Sequence, residues 1–88
     1  MKQLFKPEEI ERKVLLILKI LHESAEPVGA RVIARKMAEQ GVKLSERTVR
    51  YHLKLMDERG LTLLVGRRDG RIVTDQGLHE ISDARVQD

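Results

Sequence analysis

The segment Ser45 to Leu61, SERTVRYHLKLMDERGL, holds Arg47, Arg50, Tyr51 and Lys54 within eight positions. At about 100° per residue of helix, these four side chains fall within an arc of roughly 100°, and Val49, Leu53 and Met56 share a different face. One face is therefore core and the other is a basic stripe. Arginine suits bidentate contact with guanine, and lysine and tyrosine reach phosphates. Asp57 and Glu58 follow the stripe, so the N-terminal half of the segment is the half suited to a polyanion. Between Ala30 and Lys54 lie Arg31, Arg35, Lys36, Lys43, Arg47, Arg50 and Lys54 against Glu39 and Glu46, a local balance of 7 − 2 = +5 in a chain of net charge +3. The basic centre and acidic flanks point to a polyanion-binding face.

Other chemistry finds little support. The chain has no cysteine, which excludes disulfides, thiol catalysis and Cys-ligated zinc. His22, His52 and His79 are too far apart in sequence for two to share a helical turn, and no carboxylate pattern of the zinc-protease kind accompanies them. They read as structural or surface residues, with His52 beside the core stripe. Ser24, Ser45 and Ser82 lack a nucleophile-elbow motif or a histidine arrangement. GRRDG, Gly66 to Gly70, is a hairpin turn and no phosphate loop. No enzyme, metal or cofactor is expected.

The elements that must position the stripe follow from periodicity. Met1 to Lys6 has no period and reads as a loose arm, with Leu4 and Phe5 able to tuck inward. Pro7 opens a first helix, with Glu8, Glu9 and Glu11 at its positive end. Ile10, Val14, Ile17, Leu18 and Leu21 make its buried stripe. Leu15, Leu16 and Ile20 fall outside that stripe and call for cover from elsewhere in the chain or from a partner. SAEPVG ends the helix, and Pro27 with Gly29 leaves room for a turn or a very short strand. A second helix spans Ala30 to about Gln40, with Gly41 as a left-handed cap. Ser45 then caps a third helix. Leu61 to Thr74 reads as a hairpin, LTLLV and RIVTD about a glycine-bounded loop. Thr74 or Asp75 caps a short last helix through Leu78 and Ile81.

At 88 residues there is room for one domain, taken as 7–84 between the arm 1–6 and a tail or linker start at 85–88. Hydrophobic residues make up 41% and aromatics 2%, so the core must be aliphatic, which favours helices. Val14 to Leu18 is the longest apolar run, too short for a membrane span. A soluble, cytoplasmic chain without a targeting segment is expected.

From about Pro7 to Ile81 this order resembles a winged helix-turn-helix domain, an α+β, mainly α fold with a three-helix core, a short strand, a hairpin wing and a short last helix. TVRYHLKLMDERGL is similar to the recognition helix and following turn of prokaryotic winged-helix regulators. More narrowly, EPVGARVIARKMAEQGVKLSERTVRYHLKLMDERGL looks like the N-terminal domain of the archaeal nitrogen-regulation repressors, whose winged helix is grouped with that of ribonuclease R. The resemblance implies sequence-specific binding of double-stranded DNA by a repressor of nitrogen-metabolism genes. In that family the domain precedes others that respond to 2-oxoglutarate, and these have no counterpart here. The chain would then be a DNA-binding fragment or a stand-alone relative without the sensor.

On this reading Arg47, Arg50 and Lys54 contact DNA, joined by Arg31, Lys43 and Ser45 from the neighbouring helix starts. Arg67, Arg68 and Arg71 would do so from the wing, with tip residues reaching a minor groove or backbone. Tyr51 either packs its ring against the wing or reaches phosphate or a base. Leu15, Leu16 and Ile20 are expected to form a homodimer interface, the competing cover being the chain's own last helix or a further domain. Two alternatives use the same fold: an RNA-associated module like the accessory domain of ribonuclease R, and a protein-interaction module docking through the first helix.

Overall fold

The computed structural model describes residues 7–66 and 70–87. The arm 1–6 and the wing-tip residues Arg67 and Arg68 lie outside the described residues. The order is α1 (Pro7–Glu23), α2 (Ala30–Glu39), α3 (Glu46–Glu58), β1 (Thr62–Leu64), β2 (Arg71–Val73) and α4 (Asp75–Gln87).

The two glycine stops act as the sequence suggests. After α2, Gly41 takes φ +86°, its N–H donating to the Ala38 carbonyl at 3.0 Å and the Val42 N–H to Met37 at 2.9 Å. After α3, Gly60 takes φ +77°, with Gly60 donating to Asp57 at 3.0 Å and Leu61 to Met56 at 3.0 Å. Both are six-to-one, five-to-two closures that satisfy the last carbonyls of a helix and require a left-handed residue. The second closure also turns the chain directly into the hairpin, placing Leu61 in the core.

At the opposite ends, hydroxyls satisfy the free N–H groups. Ser45 Oγ accepts from the Thr48 N–H at 3.1 Å, and Thr74 Oγ1 accepts from the Gly77 N–H at 3.1 Å. The last helix is longer than expected, thirteen residues reaching Gln87.

The strands pair antiparallel with Thr62 opposite Val73, Leu63 opposite Ile72 and Leu64 opposite Arg71. The expected short strand before α2 is a single bridge. Val28 and Arg71 exchange backbone hydrogen bonds of 3.0 and 2.9 Å, adding a third row to the hairpin on the β2 side.

The core is aliphatic, gathered from Val14, Ile17, Leu18, Ile20 and Leu21 of α1, Ile33 and Met37 of α2, Val49, Leu53 and Met56 of α3, Leu61, and Ile81 of α4. One expectation fails here. Ile20 is only 3% exposed and belongs to this core, while Leu15 and Leu16 are half-buried against it. Helix α1 packs on α2, β2 and α4 together, so its apolar surplus is covered within the chain. Ile20 is therefore unavailable to a partner, and the surface assigned to a dimer from the sequence does not exist as drawn.

Candidate nucleic-acid interface

The stripe on α3 takes shape from the contrast between its two faces. Val49 and Leu53 are fully buried and Met56 nearly so, which fixes the rotation of α3 against the core. Arg47, Arg50, Tyr51 and Lys54 are then all exposed, Tyr51 by 63%. Tyr51 does not bury its ring on the wing; it meets His52 edge-on with centroids 6.2 Å apart. Ser45 and Lys43 are exposed just before α3, and Arg31 is exposed in the first turn of α2. The starts of both helices thus present polar and basic side chains to solvent. Backbone N–H groups at helix starts add partial positive charge suited to phosphate.

Arg50 is preset within this face. Its Nη2 donates to Glu46 Oε1 at 2.8 Å, one turn back on the same helix. Glu46 heads α3, where a carboxylate is favoured by the helix dipole. Sequence reading treated it only as a first-turn acid and missed this pairing, although the i,i+4 spacing signals it.

Arg71 does not belong to the interface. It is buried, and its Nη2 donates to Asp57 Oδ2 at 3.0 Å. Thr62 Oγ1 donates to the other carboxylate oxygen, Oδ1, at 2.6 Å. One carboxylate near the end of α3 therefore holds both strands of the hairpin. The Arg71 side chain points to the inner side of the sheet, where a charge needs a partner. Its position near the wing tip in sequence suggested DNA, but alternation along β2 decides the face: Arg71 is buried and Ile72 exposed.

The outer face of the wing is apolar. Leu63 and Ile72, directly opposite one another, are exposed on it; Leu64, opposite Arg71 on the other face, and Val65, just past β1, are exposed as well. Within LTLLV the residues Leu63 to Val65 run without a polar break, whereas a half-buried strand would alternate.

His52 is buried on α3, and its pKa is lowered, first by loss of water around the ring and then by the charge of Lys13. It is a packing histidine whose charged form burial disfavours. Among the described residues no cluster of three or more histidine, aspartate or glutamate side chains is placed to hold a metal ion, and no described helix is long and apolar enough to cross a membrane.

The three-helix core, paired hairpin and exposed basic helix agree with what comparison finds: residues 15–81 match the family described as the ribonuclease R winged-helix domain. The chain belongs to that family. This winged helix is 46% identical over 80 residues to the global nitrogen regulator NrpRI of Methanosarcina mazei, and 47% identical over 78 residues to the global nitrogen regulator NrpR of Methanocaldococcus jannaschii. These matches take in 91% and 89% of the chain but only 24% and 14% of the relatives, so the chain spans a quarter or less of the length of the curated relatives it matches. Among solved structures, a PadR family transcriptional regulator from Eggerthella lenta superposes with a TM-score of 0.67 at 20% identity, over 91% of this chain and 76% of that one. That likeness establishes the winged-helix architecture.

Proposed function

We propose that this winged helix binds double-stranded DNA sequence-specifically, as the DNA-binding domain of an archaeal transcription regulator. The observation that carries the reading is α3 itself, which buries Val49, Leu53 and Met56 and leaves Arg47, Arg50, Tyr51 and Lys54 outward. A B-form major groove admits such a helix, and its N-terminal residues meet the base edges. Two relatives are named global nitrogen regulators, which supports genes of nitrogen metabolism as the targets; on this reading the chain acts there as a repressor. Arg31, Lys43 and Ser45 would contact phosphate around the stripe, and Arg67 and Arg68 would do so from the wing. Two copies on paired half-sites are part of this reading. Any response to 2-oxoglutarate would come through further domains.

A second reading is favoured by the family match, whose description names a ribonuclease. On RNA the A-form major groove would exclude α3, and contacts would shift to backbone and 2′-hydroxyls. Gel shifts of archaeal genomic duplex against structured RNA, each at two salt concentrations, separate the two. The expected result is tighter binding to the duplex, with Arg50→Ala weakening the preferred duplex about ten-fold or more and random duplex far less. Preference for structured RNA, insensitive to Arg50→Ala, would favour the second reading and reject the first.

A further inference from the structure

The DNA-facing side of α3 is not uniformly basic. Glu46 lies at one edge of the same arc as Arg50 and Lys54 and bonds Arg50 at 2.8 Å, both side chains remaining about half exposed. An exposed i,i+4 pair of this kind contributes little to stability. A carboxylate on a surface meant for a polyanion also weakens every phosphate contact nearby. The helix dipole favours a carboxylate in this first turn, but it does not require one paired with Arg50 on the exposed face.

We infer that Glu46 is a specificity-determining residue: with Arg50 it reads adjacent base pairs, Arg50 taking guanine and Glu46 accepting from the N4 amino group of a neighbouring cytosine. The inference rests on the DNA-binding reading above and specifies what the face recognises. Four residues of helix rise about 6 Å, a little less than two base-pair steps, so side chains one turn apart reach neighbouring pairs. The salt bridge brings their charged ends closer still. A guanidinium carries five N–H donors, so one bond to a carboxylate is compatible with a bidentate contact to guanine O6 and N7. Among the bases, cytosine and adenine offer amino donors in the major groove, but adenine's N6 lies beside its N7 acceptor, which would face the carboxylate unpaired, and thymine and guanine present acceptors there. Glu46 thus works in two ways. It orients Arg50, and it rejects sequences that place an acceptor, or no sufficient donor, beside the guanine.

The test is selection of duplexes from a randomised pool by the 88-residue chain and by its Glu46→Ala and Arg50→Ala variants, with helical circular dichroism confirming that each variant is folded. The wild-type chain is expected to select a consensus holding a guanine beside a contacted cytosine. Glu46→Ala should keep the guanine, relax the cytosine position, and bind random duplex more tightly. Exchanging that cytosine pair for a thymine pair should cost the wild type about ten-fold or more in affinity and Glu46→Ala almost nothing. A Glu46→Ala chain that selects the wild-type consensus unchanged, or relaxes only at the guanine, overturns the inference while leaving the DNA reading intact. A wild-type chain that enriches no consensus defeats the DNA reading itself.

Discussion

His52 sits between the two faces of α3, one residue from exposed Tyr51 and one from buried Leu53. Its protonation is therefore linked to the seating of the helix that carries the proposed interface. The unfolded chain titrates this ring near 6.5, and the folded chain lower, because burial disfavours the imidazolium and Lys13 adds like-charge repulsion. As pH falls through 6.5, the unfolded state takes up more protons than the folded one, so stability is full above that value and declines below it. The decline stops growing once the folded pKa is also passed. Thermal melts should show a constant midpoint above about pH 7 and a falling one between about pH 6.5 and 5, before carboxylates titrate. His52→Gln should flatten that slope; an equal slope in the variant would assign it to another group. At this scale the sequence was only partly legible. Periodicity placed His52 beside the core and the four stripe residues outward, whereas Arg71 was misread because basic character near a wing says nothing about which side of a strand it occupies.

At the scale of elements, helix limits followed from local chemistry: Pro7, the glycines at 41 and 60, and the hydroxyls of Ser45 and Thr74 each satisfy or close a terminus. The joints between elements did not, because they depend on side chains distant in sequence. The Asp57 carboxylate binding Thr62 and Arg71 is one such joint. Gly77 is another. It lies in the first turns of α4, and a Cβ added there would overlap the Leu61 carbonyl and stand 2.6 Å from Val73 Cγ2 and 3.1 Å from Leu18 Cδ2. The helix therefore approaches the hairpin as closely as a hydrogen side chain allows. Alanine is the better helix former by about 1 kcal/mol. Forcing a methyl against a backbone carbonyl and a β-branched side chain costs about 1 to 3 kcal/mol, because the carbonyl cannot move aside without moving the start of the wing. The second effect should win. Gly77→Ala is expected to lower the urea midpoint at unchanged slope, and a raised midpoint would show that α4 shifts freely on the hairpin.

For the whole molecule, the apolar girth of α1 was correctly read as needing cover, but its cover is mostly internal. Ile20 is in the core, Leu15 and Leu16 pack against it, and α4 is long enough to lie along α1. The sequence suggested a short last helix and a second copy as the cover, with that helix or a further domain as the competing cover. Any pairing of two copies must accordingly be argued from the DNA. One recognition helix spans only a few base pairs, and discrimination against a genome requires more. Two copies on inverted half-sites about one helical turn, or 10 base pairs, apart would face the same side of the duplex. Half-sites moved by about 5 base pairs would face opposite sides, and any contact between copies would break. We expect a stoichiometry of two chains per palindromic duplex, with cooperative binding at the one-turn spacing and its loss after a half-turn insertion, read by titration with analytical ultracentrifugation. Ile20→Glu cannot serve as the interface control, because a carboxylate in that position is buried without a partner and unfolds the chain. Leu63→Ser and Ile72→Ser are the proper controls, since both side chains are exposed on the outer wing. Equal affinity at both spacings would mean that each copy binds alone, and specificity would then have to come from what a single α3 and its wing can read.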